Sequence, residues 1–193
     1  MPKEFTQETT VPETHNIVLI GFMGTGKSAV GRVLARRTQF RHLDLDSEIE
    51  QAAGKTIPQI FAEEGEPAFR ARETAFLSSL SAPEPQDQPL ILSTGGGTPL
   101  REENAVLLKK IGTIVWLQVS PEAILARVAH SLHERPLLAA HQDDPLRRIT
   151  SLLAVREAHY AALADFVLET SDCADSEEGA SRLMERLSIL PSL

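Results

Sequence analysis

The octapeptide GFMGTGKS, Gly21 to Ser28, sets two glycines, a lysine and a serine at the spacing G-x-x-x-x-G-K-[ST]. That spacing suits the capture of nucleotide phosphates. Glycines let the backbone turn tightly and aim its N–H groups at phosphate oxygens, and a helix opening there adds partial positive charge. Gly24, Thr25, Gly26, Lys27, Ser28 and Ala29 are therefore candidate ATP contacts. Lys27 would reach the β- and γ-phosphates, and Ser28 would ligate Mg²⁺. A second stretch, HLDLDSEIE (42–50), carries Asp44 and Asp46 two positions apart. On an extended segment both point the same way, and two like charges on one face need a cation near them. A magnesium-bound nucleotide supplies it. One carboxylate could hold the metal, directly or through water, while the other orients or deprotonates an attacking hydroxyl. Asp46 also reads as the N-cap of a helix starting near Ser47. A third stretch, STGGGTP, has three successive glycines, Gly95, Gly96 and Gly97. Such a run lets the backbone pass very close to a ligand and offers unshielded N–H donors.

These residues need elements to bring them together. NIVLI (16–20), PLILS (89–93) and TIVWLQV (113–119) are continuous, largely β-branched apolar runs, the pattern of strands buried on both faces. HLDL and FVLET (166–170) are shorter candidates. Helical patterns fill the intervals at 27–38, 46–53, 57–64, 66–81, 101–110, 121–129, 145–163 and 175–188. Ser120-Pro121-Glu122 reads as a helix start and Gly112 as a helix stop. Alternation of this kind predicts an α/β fold, a five-stranded parallel sheet flanked by helices, with the ligand crevice at the carboxyl ends of the strands. The phosphate loop follows the first strand, Asp44 and Asp46 end the second, and the triple glycine follows the third. SAPEPQDQP (81–89) reads as a solvated linker. Residues 130–144 lack a regular pattern and are long for a connection, which suits a lid.

Composition narrows the function classes. At 193 residues a single domain is expected over 15–190, preceded by a flexible extension at 1–14. The formal net charge of −8 disfavours nonspecific nucleic-acid binding. No run approaches the roughly 18 apolar residues of a membrane span. One cysteine, Cys173, excludes an internal disulfide and fits a reducing compartment, the cytoplasm. With no heptad or large apolar stripe, a monomer is expected. Trp116 and Tyr160 read as packing residues. No N-K-x-D occurs, which argues against a guanine-reading switch.

In order along the chain, GFMGTGKSAVGRVLA, LDLDSEIE, GKTIPQIFAEEGEPAFRARE, STGGGTP, ERPLL and VREAHY resemble the shikimate kinase family. The resemblance spans about residues 16–170. It implies a P-loop, nucleoside-monophosphate-kinase-like fold with a lid at about 130–144, and transfer of the ATP γ-phosphate to the 3-hydroxyl of shikimate. By position, it makes Asp46 the hydroxyl contact and general base and puts Asp44 near Mg²⁺. It makes Arg70 and Arg156 substrate contacts, with Gly95, Gly96 and Gly97 lining the acceptor site. Arg127 falls near the nucleotide, and Arg135 is the lid arginine closing on the phosphates, catalytic together with Lys27 and Asp46. An arginine fork matches a carboxylate, and Glu73, three residues after Arg70, could hold its guanidinium. Two other readings use the same residues: a gluconate-type small-molecule kinase on this fold, and a ligand-sensing module without turnover.

Overall fold

The computed structural model describes residues 16–81, 88–130 and 144–187. The expected extension at 1–14, residues 131–143 of the expected lid and, with them, Arg135 lie outside the described residues.

Five strands form one parallel sheet in the order β2-β3-β1-β4-β5. They are β1 (Ile17–Ile20), β2 (Arg41–Asp44), β3 (Leu90–Ser93), β4 (Thr113–Gln118) and β5 (Phe166–Glu169). β1 and β3 are buried at every position because both faces are covered, which is why they read as unbroken apolar runs. Among the described residues eight α-helices follow the predicted segments closely: α1 (Lys27–Thr38), α2 (Leu45–Ala53), α3 (Ile57–Glu63), α4 (Glu66–Leu80), α5 (Glu102–Ile111), α6 (Pro121–Val128), α7 (Pro145–Leu163) and α8 (Ser176–Arg186). A 3₁₀ turn, Thr98–Leu100, comes directly after the triple glycine.

Two apolar clusters cover the two faces of the sheet. Val18, Ile20, Leu43, Leu90, Leu92, Ile114 and Trp116 pack with residues of α2, α4, α5 and α7. Ile17, Leu19, Ile91, Val115 and Leu117 pack with α1 and α8. Each fully buried Leu or Ile contributes on the order of 2 kcal/mol of transfer free energy, so the central strands are the least movable part of the chain. The helix ends carry local signals. Ser120 caps α6 through the N–H of Ala123 (3.3 Å), with Pro121 at its first position. Gly112 ends α5, where any Cβ would stand 2.2 Å from the carbonyl oxygen of Asn16.

One expectation is corrected here. Asp44 and Asp46 do not share the face of a strand. β2 ends at Asp44, and α2 begins at Leu45. Asp44, not Asp46, is the N-cap: its Oδ1 accepts from the Ser47 N–H at 3.3 Å. Asp46 lies in the first turn, where a carboxylate is also favoured by the helix dipole. The physical reason is the Asx propensity of Asp44, which competes with continuation of the edge strand.

Candidate active site

Sheet register brings the three motifs together. Asp44 of β2 lies opposite Ser93 of β3, and Ser93 lies opposite Leu19 of β1. The next residues of these neighbouring strands are therefore the start of α2, the triple-glycine turn and the phosphate loop. Thr94 secures the junction: its N–H and its hydroxyl both donate to the carbonyl of Leu19, each at 3.1 Å.

In the phosphate loop, Gly24 has φ +77°, and a Cβ there would stand 2.4 Å from Val128 Cγ1 of α6. Only glycine satisfies both conditions. Buried Lys27 curls back over the loop, Nζ donating to the carbonyls of Gly21 (2.9 Å) and Phe22 (2.8 Å). The Thr25 hydroxyl is turned inward to the Phe22 carbonyl at 2.9 Å. Ser28 Oγ donates to Asp44 Oδ2. A hydroxyl and a carboxylate oxygen thus meet at the first turn of α1. This all-oxygen donor pair suits Mg²⁺, which takes one or two protein ligands and completes its shell with phosphate and water. Among the described residues no group of three or more His, Cys, Asp or Glu stands together to hold a metal unaided.

Asp46 sits beside this pair. Burial, then the nearby Asp44 charge, push its pKa up to about 6; Lys27 pulls the other way, and Glu73 and Glu50 add to the rise. The coupling expected of the two aspartates is present, although the geometry producing it is a strand-to-helix junction. A carboxylate raised to about 6 is a stronger base than an ordinary aspartate and is still ionised at neutral pH.

The triple glycine is needed for space. A Cβ on Gly95 would lie 2.9 Å from Asp46 Oδ1, and one on Gly96 3.2 Å from the Met23 nitrogen. One on Gly97 would lie 3.1 and 3.2 Å from the Arg70 guanidinium nitrogens. The turn is thus pressed against the carboxylate, the phosphate loop and the arginine at once. Gly97→Ala is expected to displace the Arg70 side chain without unfolding the protein, because the clashing atoms end a flexible chain. The apparent KM for an acidic acceptor should rise about tenfold, the scale of one charge-assisted hydrogen bond, while that for ATP stays put. Steady-state kinetics with each substrate varied would check this, and an unchanged acceptor KM would remove Arg70 from the site.

Arg70 is held as expected and more firmly. Its Nη1 donates to Glu73 Oε2 at 2.7 Å, and Nε and Nη2 donate to Glu66 Oε1 at 3.1 and 2.9 Å. Glu73 is fully buried, and its other oxygen accepts from the Thr98 hydroxyl. The carbonyl of Thr98 accepts from Asn104 Nδ2 at 3.3 Å, and Thr74 Oγ1 donates to Asn104 Oδ1 at 2.8 Å. This buried polar chain ties α4 to α5 and to the turn after Gly97. Nothing in the spacing of Thr98 or Asn104 marks them in the sequence; their role comes from tertiary packing.

Arg156, on α7, lies 5.3 Å from the ring centroid of Phe22, the second residue of the phosphate loop. Tyr160, one turn further along α7, is fully buried and donates from Oη to the carbonyl of Gly96 at 2.6 Å. Arg127 reaches from α6 across the opposite side of the loop, Nη1 donating to Thr25 O at 3.5 Å and Nη2 to Thr170 O. Asp46, Arg70 and the triple glycine, and Arg127 and Arg156 against the phosphate loop, thus stand around the turns that follow β1, β2 and β3. The Cys173 N–H donates to the same Thr170 carbonyl at 3.3 Å, and its thiol is pushed up chiefly by burial.

Comparisons with known proteins bear on this site. The model of the family described as shikimate kinase matches residues 23–188. The chain is 44% identical over 172 residues to a shikimate kinase of Neisseria gonorrhoeae, covering 89% of this chain and 95% of that one. A solved structure of the shikimate kinase of Acinetobacter baumannii in complex with shikimate superposes with a TM-score of 0.79 at 38% identity, covering 91% and 94% of the two chains. The Aquifex aeolicus shikimate kinase structure gives 0.73 at 35% identity, covering 90% and 96%.

Proposed function

The chain belongs to the shikimate kinase family, and on that premise we propose that it transfers the γ-phosphoryl group of ATP to the 3-hydroxyl of shikimate, giving shikimate 3-phosphate for aromatic amino acid biosynthesis. The observation that carries this reading is the shared carboxylate pair. Asp44 meets the phosphate-loop serine, while Gly95 of the acceptor turn is packed against Asp46. A nucleotide-handling loop and a turn built for close approach thus meet at one edge.

Each residue takes a role that its surroundings support. Gly24, Thr25, Gly26, Lys27, Ser28 and Ala29 cradle the phosphates, and Arg127 borders the nucleotide. Ser28 and Asp44 would hold Mg²⁺, Asp44 directly or through water, and the ion when bound would supply neutralisation of phosphate charge. Asp46 accepts a hydrogen bond from the 3-hydroxyl and takes its proton as the oxygen attacks phosphorus. Arg70 and Arg156 bind the ring carboxylate and hydroxyls, with Gly95, Gly96 and Gly97 as the floor. Lys27 balances negative charge on the equatorial oxygens, together with Arg135 from the lid. Positioning and charge account for most of the rate, because a loose phosphoryl transition state asks for little covalent help.

The working form is a cytoplasmic monomer of one kinase domain, 15–190, with no nucleic-acid partner. Among the described residues no helix is long and apolar enough to cross a membrane. The deciding experiment is ADP release with shikimate, with gluconate and with no acceptor. Shikimate-dependent turnover is the expected result. Turnover on gluconate alone would replace the acceptor, and tight shikimate binding without turnover would make the protein a sensor.

A further inference from the structure

Tyr160 lies at a junction that the proposed reaction does not yet use. Its ring is buried against Trp116, centroids 5.8 Å apart and tilted by 44°. Trp116 in turn borders the first glycine of the phosphate loop: a Cβ on Gly21 would lie 3.4 Å from Trp116 Cδ1. The Tyr160 hydroxyl donates to the carbonyl of Gly96. Gly96 is also the residue whose backbone presses on the phosphate loop, near Met23 N and Gly21 O. The Arg156 guanidinium, four residues earlier on the same side of α7, lies near the phenol and opposes with its charge the rise that burial imposes on the Tyr160 pKa. One hydroxyl therefore touches the acceptor turn at its closest point to the phosphate loop and stands beside a candidate acceptor arginine.

Packing alone explains the ring and leaves the hydroxyl unexplained. Phenylalanine would fill the same space against Trp116 without requiring a buried polar partner. Water cannot easily replace the bond, because the residue is fully buried.

Resting on the kinase reading above, we propose that Tyr160 is a positioning residue that fixes the Gly96 carbonyl and the Arg156 guanidinium relative to each other, and so sets affinity for the acid acceptor more than for the nucleotide. The test is Tyr160→Phe, which keeps the ring and removes only the hydroxyl. The KM for shikimate should rise about fivefold, the worth of one hydrogen bond. The KM for ATP should stay within about twofold, and kcat should fall less than KM rises. In an Arg156→Ala background the same change should have a smaller effect than in wild type, since the two residues act together.

Equal KM values in the variant and wild type would overturn the inference. So would a parallel rise in both KM values, which would mean a general loosening of the fold, or full multiplicativity with Arg156→Ala. Failure of the kinase reading itself looks different: wild-type protein would then release no ADP in response to shikimate.

Discussion

Asp46→Asn is expected to lower shikimate phosphorylation by about 10³-fold, the middle of the range for a positioned general base, while leaving ATP affinity nearly intact. Asparagine keeps the size of the side chain and its hydrogen-bonding oxygen but cannot take a proton. Nucleotide affinity should persist because Lys27 donates to the Gly21 and Phe22 carbonyls and Ser28 to Asp44, hydrogen bonds that the substitution leaves in place. The same substitution should make the protein more stable. Burial and the Asp44 charge raise the Asp46 pKa from 3.8 to about 6. Between those values the folded state holds a proton that the unfolded state has released, so stability contributed by this group falls as pH rises through the window. Above it, the folded protein bears the full cost of an ionised carboxylate in a poor site. Allowing for solvent screening of a partly exposed group, that cost is on the order of 2 kcal/mol, or roughly 5 °C in Tm for a chain of this size. Thermal unfolding should therefore separate the variant from wild type at pH 8 and bring the two together near pH 4. Retained wild-type turnover would remove Asp46 from the base role, and equal Tm values at pH 8 would show that its ionisation carries no such cost.

Lys27→Met should reduce kcat by about 10²- to 10³-fold, the usual loss when one preorganised charge donor to a transition state is deleted. Methionine fills much of the volume of the buried lysine stem, so the loop should keep its fold. The ammonium is lost, and with it the donors to the Gly21 and Phe22 carbonyls. Those carbonyls belong to the loop that must present N–H groups to phosphate, and the KM for ATP should rise as well. A rise in ATP KM with kcat unchanged would assign Lys27 to ground-state binding alone. Measurement of both constants with saturating shikimate distinguishes the cases.

The framework was legible in the sequence because the signals there are local and mutually consistent. α1 and α7 begin and end where their apolar periodicity and flanking residues require. The buried strands announce themselves as unbroken aliphatic runs. The motif residues were legible for the same reason: a phosphate loop is a property of consecutive residues. Two things were not. The start of α2 was misread because Asp44 and Asp46 both suit a helix N-terminus, and alternation in a four-residue edge strand is too short to decide. The support around the acceptor turn was missed because it is non-local. Glu73 reaches Thr98 across 25 residues, and Tyr160 reaches Gly96 across 64. Tyr160, one turn beyond Arg156, reads from the sequence as a packing residue, and only its bond to Gly96 shows otherwise.

The alignment of Asp44, Ser93 and Leu19 across three adjacent strands has a consequence for divergence and redesign. A ladder cannot slip by one residue without turning its buried side chains to the wrong face, so the apparatus for handling triphosphate is inherited as a block. Arg70 and Arg156 are mounted instead on α4 and α7, where neighbouring surface positions tolerate exchange. Under the roles proposed for Arg70 and Arg156, attempts to retarget the enzyme toward other small acids belong on those two helices, and an insertion within β1, β2 or β3 should disable every acceptor alike.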